Sequence, residues 1–259
     1  MSSEATVLAP LWRSLLWPGI VSAIALIVLL SLGTWQVQRM HWKEDLISSV
    51  TARLASEPAV LPPPAEWSAL DPDSYQYRRI AVTGRYLHAH EQRAYMVVSS
   101  PKGGPLGGQG HWVMTPLELA DGAVVWINRG FVPLHLADQD ITTGQTEIVT
   151  LKGLMRPPEK AGFATPGNES GFDGKLWFVR DPAAMTLQTS LESGAVVAPF
   201  FVDLEAGNGP ALPQAGETTI AFSNRHLGYV LTWYGIALTL IGVFVAFAAR
   251  EYRKGQTPN

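Results

Sequence analysis

Cysteine is absent from all 259 residues. That excludes disulfides, iron–sulfur clusters, thiolate zinc sites, cysteine nucleophiles and covalent attachment of a c-type haem. Charge is sparse as well. Charged residues make up 16% of the chain, and a formal net charge of -3 leaves no basic footprint for nucleic acid. The six methionines are scattered, so there is no copper-binding cluster. The glycine-rich stretch Lys102–Gly110 lacks the Gly-Lys-Ser/Thr ending of a phosphate loop and is expected to be a plain loop. No Ser/His/Asp or paired-carboxylate arrangement stands out along the chain. The protein is therefore not expected to be an enzyme, and a membrane-bound envelope enzyme stays only as a minor alternative.

What the chain does contain is two long runs without charge. Ser14 to Gln38 is the first, and His226 to Ala249, 24 residues, is the second. As a helix the second run is about 36 Å long at ~1.5 Å per residue, enough to span a bilayer. A signal peptide is the main alternative for the first run. Its apolar region would be only about 7–15 residues and would end in a small-x-small cleavage site. Here the run ends in Trp35 and Gln36 and passes into a charged, helix-like stretch, which favours a retained anchor.

Spans at both ends predict a hairpin. Residues 1–17 are expected to be a cytoplasmic N-terminus, 18–38 a first transmembrane helix, 39–225 one domain outside the cytoplasm, 226–249 a second transmembrane helix and 250–259 a cytoplasmic tail. Arg13, Arg250, Arg253 and Lys254 favour this orientation, while Arg39, Lys43 and Arg225 argue back. Long domains translocate largely regardless of flanking charge, so the rule does not decide alone. Aromatic residues sit at both ends of the spans, with Trp12, Trp17 and Tyr252 at one interface and Trp35, Trp42, Tyr229 and Trp233 at the other.

Beyond the first span the helical pattern continues. Trp42, Leu46, Val50 and Leu54 recur at steps of four, and the helix is expected to stop before Pro58. Leu61-Pro-Pro-Pro64 is a stiff connector. The middle of the chain reads as β, with strands expected at Tyr77–Tyr86, Ala94–Val98, Trp112–Leu119, Val124–Asn128, Ile148–Leu154, Trp177–Val179 and Phe200–Leu204. Asp121-Gly122 signals a hairpin, because both residues tolerate positive φ. Asp181-Pro182 signals a helix start with Ala184, Leu187 and Leu191 as its buried stripe. The expected fold class is two transmembrane α-helices flanking one β-rich α+β domain with mainly antiparallel strands.

The histidines are His41, His88, His90, His111, His135 and His226. His88-x-His90 could hold a metal from one strand face, although its surroundings read as a turn. His111 and His135 have no partner at ligand spacing and read as structural. His226 stands apart at the lip of the second span. At 100° per residue it shares a face with Tyr229, Val230, Trp233, Ala237, Leu240 and Phe244, while Gly228, Gly235, Thr239, Gly242 and Ala246 lie opposite. Small residues let helices approach closely. The glycine face is therefore expected to pack on the first span, at Gly19, Ser22 and Gly33, leaving the His226 face toward lipid, a ligand or another protein. Two readings stay open: an interfacial histidine snorkelling to the headgroups, or a functional imidazole. A porphyrin would suit the second reading, since it needs a neutral imidazole nitrogen and stacks on apolar and aromatic side chains. His41, on the extension of the first helix, is the candidate second ligand.

Several motifs then fall in order between the two spans. They are Leu32-Gly-Thr-Trp-Gln-Val-Gln-Arg39-Met-His-Trp-Lys43-Glu-Asp-Leu-Ile47, Tyr77-Arg-Arg-Ile80, Val82-Thr-Gly84, Thr115-Pro-Leu117, Asn128-Arg-Gly-Phe-Val-Pro133, Arg156-Pro-Pro-Glu-Lys160, Trp177-Phe-Val-Arg-Asp181 and Asn224-Arg-His-Leu-Gly-Tyr-Val-Leu-Thr-Trp-Tyr234. Together they resemble the Surfeit-locus (Shy-type) family of cytochrome c oxidase assembly factors, over nearly the whole chain from Leu32 to Phe247. Phe131 stands where many members have Trp. The resemblance implies an assembly factor that binds haem a and assists its insertion into the oxidase core subunit, with a haem a synthase as a further candidate partner. It places the haem iron on His226, and Tyr229, Trp233 and Phe244 are expected to hold the ring. The short N-terminus is expected of a bacterial member, a multi-pass inner-membrane protein with its domain in the periplasm. The alternative is a scaffold without haem that stabilises an intermediate of the oxidase core subunit. Arg129 and Arg156 are expected in structural salt bridges, or in contacts to haem propionates or a partner.

Overall fold

The computed structural model describes residues 11–139, 147–163, 165–166, 176–189, 191, 194–207, 212–220 and 225–256. Part of the Gly/Pro-containing stretch Gly207–Gly216, and Asn224 of the last motif, lie outside them. The chain divides into two compact units, Met1–Ser48 with Ala221–Asn259, and Ser49–Ile220.

The first unit is helical. Helix α1 runs without a break over Leu11–Ala55, so the pattern at Leu46, Val50 and Leu54 does continue the span and stops before Pro58. The last helix, α4 (numbered after two short helices of the second unit), covers His226–Gln256. Both are long and apolar enough to cross a membrane, and almost none of either apolar stretch is buried within the protein. A helix of a soluble core would be covered, so the exposure marks the chain as a membrane protein. Trp17, Trp35, Trp42, Tyr229 and Tyr252 are all exposed, as interfacial aromatics would be.

The second unit is a mixed β structure. Its strands are β1 (Ala59–Val60), β2 (Arg79–Tyr86), β3 (Gln92–Val98), β4 (Gly108–Glu118), β5 (Val124–Pro133), β6 (Ile148–Arg156), β7 (Leu176–Trp177) and β8 (Val197–Leu204). Two short helices join them, α2 (Pro72–Tyr75) and α3 (Pro182–Thr189). The strand order is β1-β2-β6-β8-β5-β4-β3-β7, and β2 also pairs with β4. That extra pairing, Arg85↔Glu118 and Tyr86↔Leu117, closes β2, β6, β8, β5 and β4 into a five-stranded barrel. The strands are mainly antiparallel, as expected, but the sheet is mixed, because β1–β2, β3–β7 and β5–β8 run parallel.

Alternation decides which side chains go inside. Ile80, Val82 and Tyr86 of β2 point to one face, with Leu151 and Met155 of β6 and Phe200, Val202 and Leu204 of β8. This is the barrel core, and Trp67 closes it edge-on against Phe200 at 5.6 Å. The opposite face carries Trp112, Met114, Trp126, Phe131 and Phe201, and Trp177 of β7 and Met185 of α3 cover it. The Trp126 indole donates to Thr186 Oγ1 at 2.9 Å, so the buried ring keeps its polar atom satisfied.

Five local expectations meet different outcomes. The Asp121-Gly122 hairpin forms, with Gly122 at φ 80 and its amide bonded to the Leu119 carbonyl. Asp181 caps α3 through bonds from the amides of Ala183 and Ala184 to Oδ1. The α3 stripe is met in part: Ala184 and Leu191 pack against the outer cluster, but Leu187 is 85% exposed, and Pro182 and Met185 are the buried residues. Leu187 lies two residues, about 200°, from Met185. Strand β2 starts at Arg79 rather than Tyr77, because Tyr77 turns the chain with φ 63, and β4 already begins at Gly108, inside the expected loop.

Candidate functional site

Within the first unit, α4 meets α1 through the face that carries His226. Val230 and Ala237 are buried, and His226, Trp233, Leu240 and Phe244 are half-buried. Among the described residues, Gly228, Gly235 and Gly242 face open space, with no atom beyond their own helix backbone within 4 Å of where a Cβ would be. The expected packing face is therefore reversed. Small residues do mediate the contact, but they are on α1. Gly33 lies under Tyr234, whose ring carbons would be 3.0 Å from an added Cβ, and Gly19 lies under Phe244 at 3.6 Å. Large side chains of α4 enter gaps left by glycines of α1, so α4 needs its aromatic face inward and not its glycine face.

At the lip of this pair the His226 ring meets Gln36. Nδ1 of the imidazole lies 2.7 Å from Gln36 Oε1, and Gln36 is only 8% exposed. Two turns further along α4, the Tyr234 hydroxyl is 3.2 Å from Thr34 Oγ1, which itself donates to the Leu30 carbonyl. Gly33, Thr34 and Gln36 of the first motif thus contact Tyr234 and His226 of the last.

The residues expected around a haem do not all gather here. Tyr229 and Trp233 lie within two turns of His226, Tyr229 being 55% exposed and Trp233 half-buried. Phe244 is 18 residues on, about 27 Å along the axis at ~1.5 Å per residue. It lines a separate apolar groove of about 200 Å³ with Gly19, Leu26 and Leu240. It cannot share one ring with His226. His41 is exposed and lies five residues, about 140°, round α1 from Gln36. The residue of α1 that reaches His226 is Gln36, which sequence reasoning passed over because an amide carries no ligand chemistry of its own.

In the second unit the motif residues build one buried polar network. Asp203 of β8 accepts hydrogen bonds from Asn128 Nδ2 at 2.8 Å and from Arg156 Nη1, Arg180 Nη1 and Thr218 Oγ1 at 2.9 Å. Arg180 also binds both carboxylate oxygens of Glu159, through its side chain and its backbone amide, and stacks 4.6 Å over Phe201. Burial would push the Asp203 carboxyl up, but the charges of Arg180 and Arg156 outweigh it and hold the group below the ordinary value. A cavity of about 210 Å³ opens beside this network, between Tyr95, Phe178 and Thr219. Gly130, at φ 137, lets the chain cross at Gln214, whose carbonyl a Cβ would strike at 2.4 Å. Arg129 pairs with Glu91 at 3.2 Å and lies over the Tyr86 ring. Arg129 and Arg156 are therefore ion-paired inside the domain.

His88 and His90 occupy one turn of 3-10 helix, not a strand. His88 packs on Tyr86, while His90 Nδ1 donates to the Thr189 carbonyl at 3.0 Å. Among the described residues no three His, Asp or Glu side chains come together at metal-binding range.

These contacts join the two ends of the chain, and comparison with known proteins matches the same span. The model described as the SURF1 family matches residues 23–238. The chain belongs to the SURF1 family. A SURF1-like protein of Monosiga brevicollis is 34% identical over 229 residues, 85% of this chain and 83% of that protein. Surfeit locus protein 1 of Takifugu rubripes is 34% identical over 221 residues, 79% of this chain and 86% of its own. The human Surfeit locus protein 1 is 33% identical, covering 80% and 69%. The match to the family begins inside α1 and ends inside α4, so both halves of the His226 contact lie within it.

Proposed function

We propose that this SURF1 family member is an assembly factor for haem-copper cytochrome c oxidase, which binds haem a and assists its insertion into the oxidase core subunit. The observation that carries the reading is the state of His226. It is half-buried at the mouth of the helix pair, and one ring nitrogen is held by Gln36. Among the described residues no hydrogen bond engages the other. Haem iron takes a neutral imidazole nitrogen as an axial ligand, so these residues fit the group. Tyr229 and Trp233 offer aromatic surface on the same stretch of helix, whereas Phe244 lies about 27 Å further along the axis at ~1.5 Å per residue. The bound haem supplies the iron. The chain supplies one nitrogen, holds the ring that bears it and shields one side from water. In the same reading the protein is a multi-pass protein of a bacterial inner membrane, with the barrel domain in the periplasm.

The test is the absorption spectrum of the protein purified from a haem a-producing host. The expected result is a haem a spectrum that His226→Ala loses. Equal haem content in the variant would overturn the ligand assignment.

A scaffold without haem is the second reading, and the open Gly228/Gly235/Gly242 face favours it, since such a face admits another membrane helix closely. Pull-down of the oxidase core subunit from cells unable to make haem a separates the two. Undiminished association supports the scaffold, and loss supports dependence on haem.

A further inference from the structure

We infer that Gln36 is a positioning residue that selects which nitrogen of His226 meets a metal. The inference rests on the haem-ligand reading of His226 and adds to it the orientation and tautomer of the ring. The Gln36 side-chain carbonyl oxygen faces Nδ1 at 2.7 Å. A carbonyl oxygen has no proton to give, so Nδ1 is the donor and carries the ring proton. A neutral imidazole has only one such proton, and Nε2 is left with its lone pair free. Gln36 is 8% exposed and cannot trade this partner for water without leaving a buried amide unpaired.

The support around the pair is rigid. One turn before Gln36, Gly33 receives the Tyr234 ring, and Thr34 bonds the Tyr234 hydroxyl. The carbonyl that fixes His226 therefore sits on a stretch of α1 already fastened to α4. Histidines that bind metals commonly donate their second ring N–H to such an acceptor, and losing it weakens metal binding by roughly 10–100-fold. A neutral amide also raises the basicity of the ring less than a carboxylate would, which suits cargo that must later be handed on.

The experiment uses the full chain in lipid nanodiscs and compares wild type with Gln36→Leu, Gln36→Glu and His226→Ala. Nitrogen-15 shifts of the His226 ring, read without haem, are expected to show a proton on Nδ1 in wild type and Gln36→Glu. Gln36→Leu should move the proton toward Nε2. Haem a added to the same samples should bind roughly tenfold or more weakly to Gln36→Leu, and at least as tightly as wild type to Gln36→Glu. If wild type and His226→Ala bind haem a equally, the ligand reading fails and takes this inference with it. If binding depends on His226 but Gln36→Leu keeps both the wild-type tautomer and the wild-type affinity, the inference alone is overturned. The same holds if Glu fails to restore what Leu loses.

Discussion

Replacing Asp203 with Asn tests whether the charge network holds the barrel together. Asp203 is 1% exposed, and its two oxygens accept from Asn128, Arg156, Arg180 and Thr218. The substitution keeps the shape but removes the negative charge that faces two guanidinium groups. Removing one partner of a buried ion pair costs about 3–5 kcal/mol. Arg180 keeps Glu159 and the Phe201 ring, so most of the loss falls on Arg156, whose Nε already lacks a partner among the described residues. The lower end, about 3 kcal/mol, is therefore expected. In a domain of this size it lowers Tm by about 6–12 °C, at ~2–4 °C per kcal/mol. Thermal unfolding of the full chain in detergent, followed by near-ultraviolet dichroism of the buried tryptophans, reads this directly. The sign with pH is also fixed. A carboxyl held below its ordinary value of 3.8 contributes fully above that pH and loses its contribution as pH falls through its folded value. Wild type and variant should converge in acid. A shift under about 1 kcal/mol at pH 7, or equal slopes in acid, would refute the account.

Two further perturbations test other parts of the structure. Gly33→Val places methyl groups where Tyr234 ring carbons lie 3.0 Å from a Cβ, and overpacking of this kind costs about 1–3 kcal/mol. Spin labels at Val28→Cys and Leu238→Cys, introduced without removing any native cysteine, should show a broadened distance distribution; an unchanged one would mean that Gly33 is no packing contact. His111 has a buried Nδ1 without a partner among the described residues, and burial, then Arg93, pushes its pKa below 6.5. As pH falls through 6.5 the unfolded chain takes the proton first, so stability declines from there downward. His111→Phe should remove that decline in Tm between pH 7 and 5, and parallel profiles would show that His111 is not its source.

Much of the β domain was legible because its cause is local. Ile80, Val82 and Tyr86 alternate, Asp121-Gly122 and Asp181-Pro182 carry their own turn and cap chemistry, and each element formed close to where those signals put it. Barrel closure was not legible. It hangs on the pairing of two residues of β2 with two of β4, and nothing in either strand's alternation records a second neighbour. The parallel pairing of β5 with β8 was not legible for the same reason, since neither strand's alternation names its neighbour. Tyr77 misled because its type favours a strand while its position requires φ 63. The salt-bridge role of Arg129 and Arg156 was legible only as a class; their partners are Glu91, just before β3, and Asp203 on β8, both distant in sequence.

The reversed face of α4 has a more general cause. A seven-residue glycine spacing says that a helix can be approached closely, not that its neighbour does so. Which face turns inward depends on both surfaces, and α1 offers gaps at Gly19 and Gly33 that suit rings better than they suit another glycine. Once Tyr234 and Phe244 fill those gaps, the rotation of α4 is fixed and His226 must turn toward α1, where the polar atom that meets it is Gln36, 190 residues earlier in the chain. The histidine that looked free to face lipid is thus half-sheltered between two helices. A snorkelling side chain would leave both ring nitrogens to water and headgroups, whereas one nitrogen here is tied to a buried amide and the other is not. That asymmetry is what an imidazole needs if it is to act as a ligand on a chosen side, and it arises from the packing of two glycines rather than from anything the histidine's own neighbours in sequence specify.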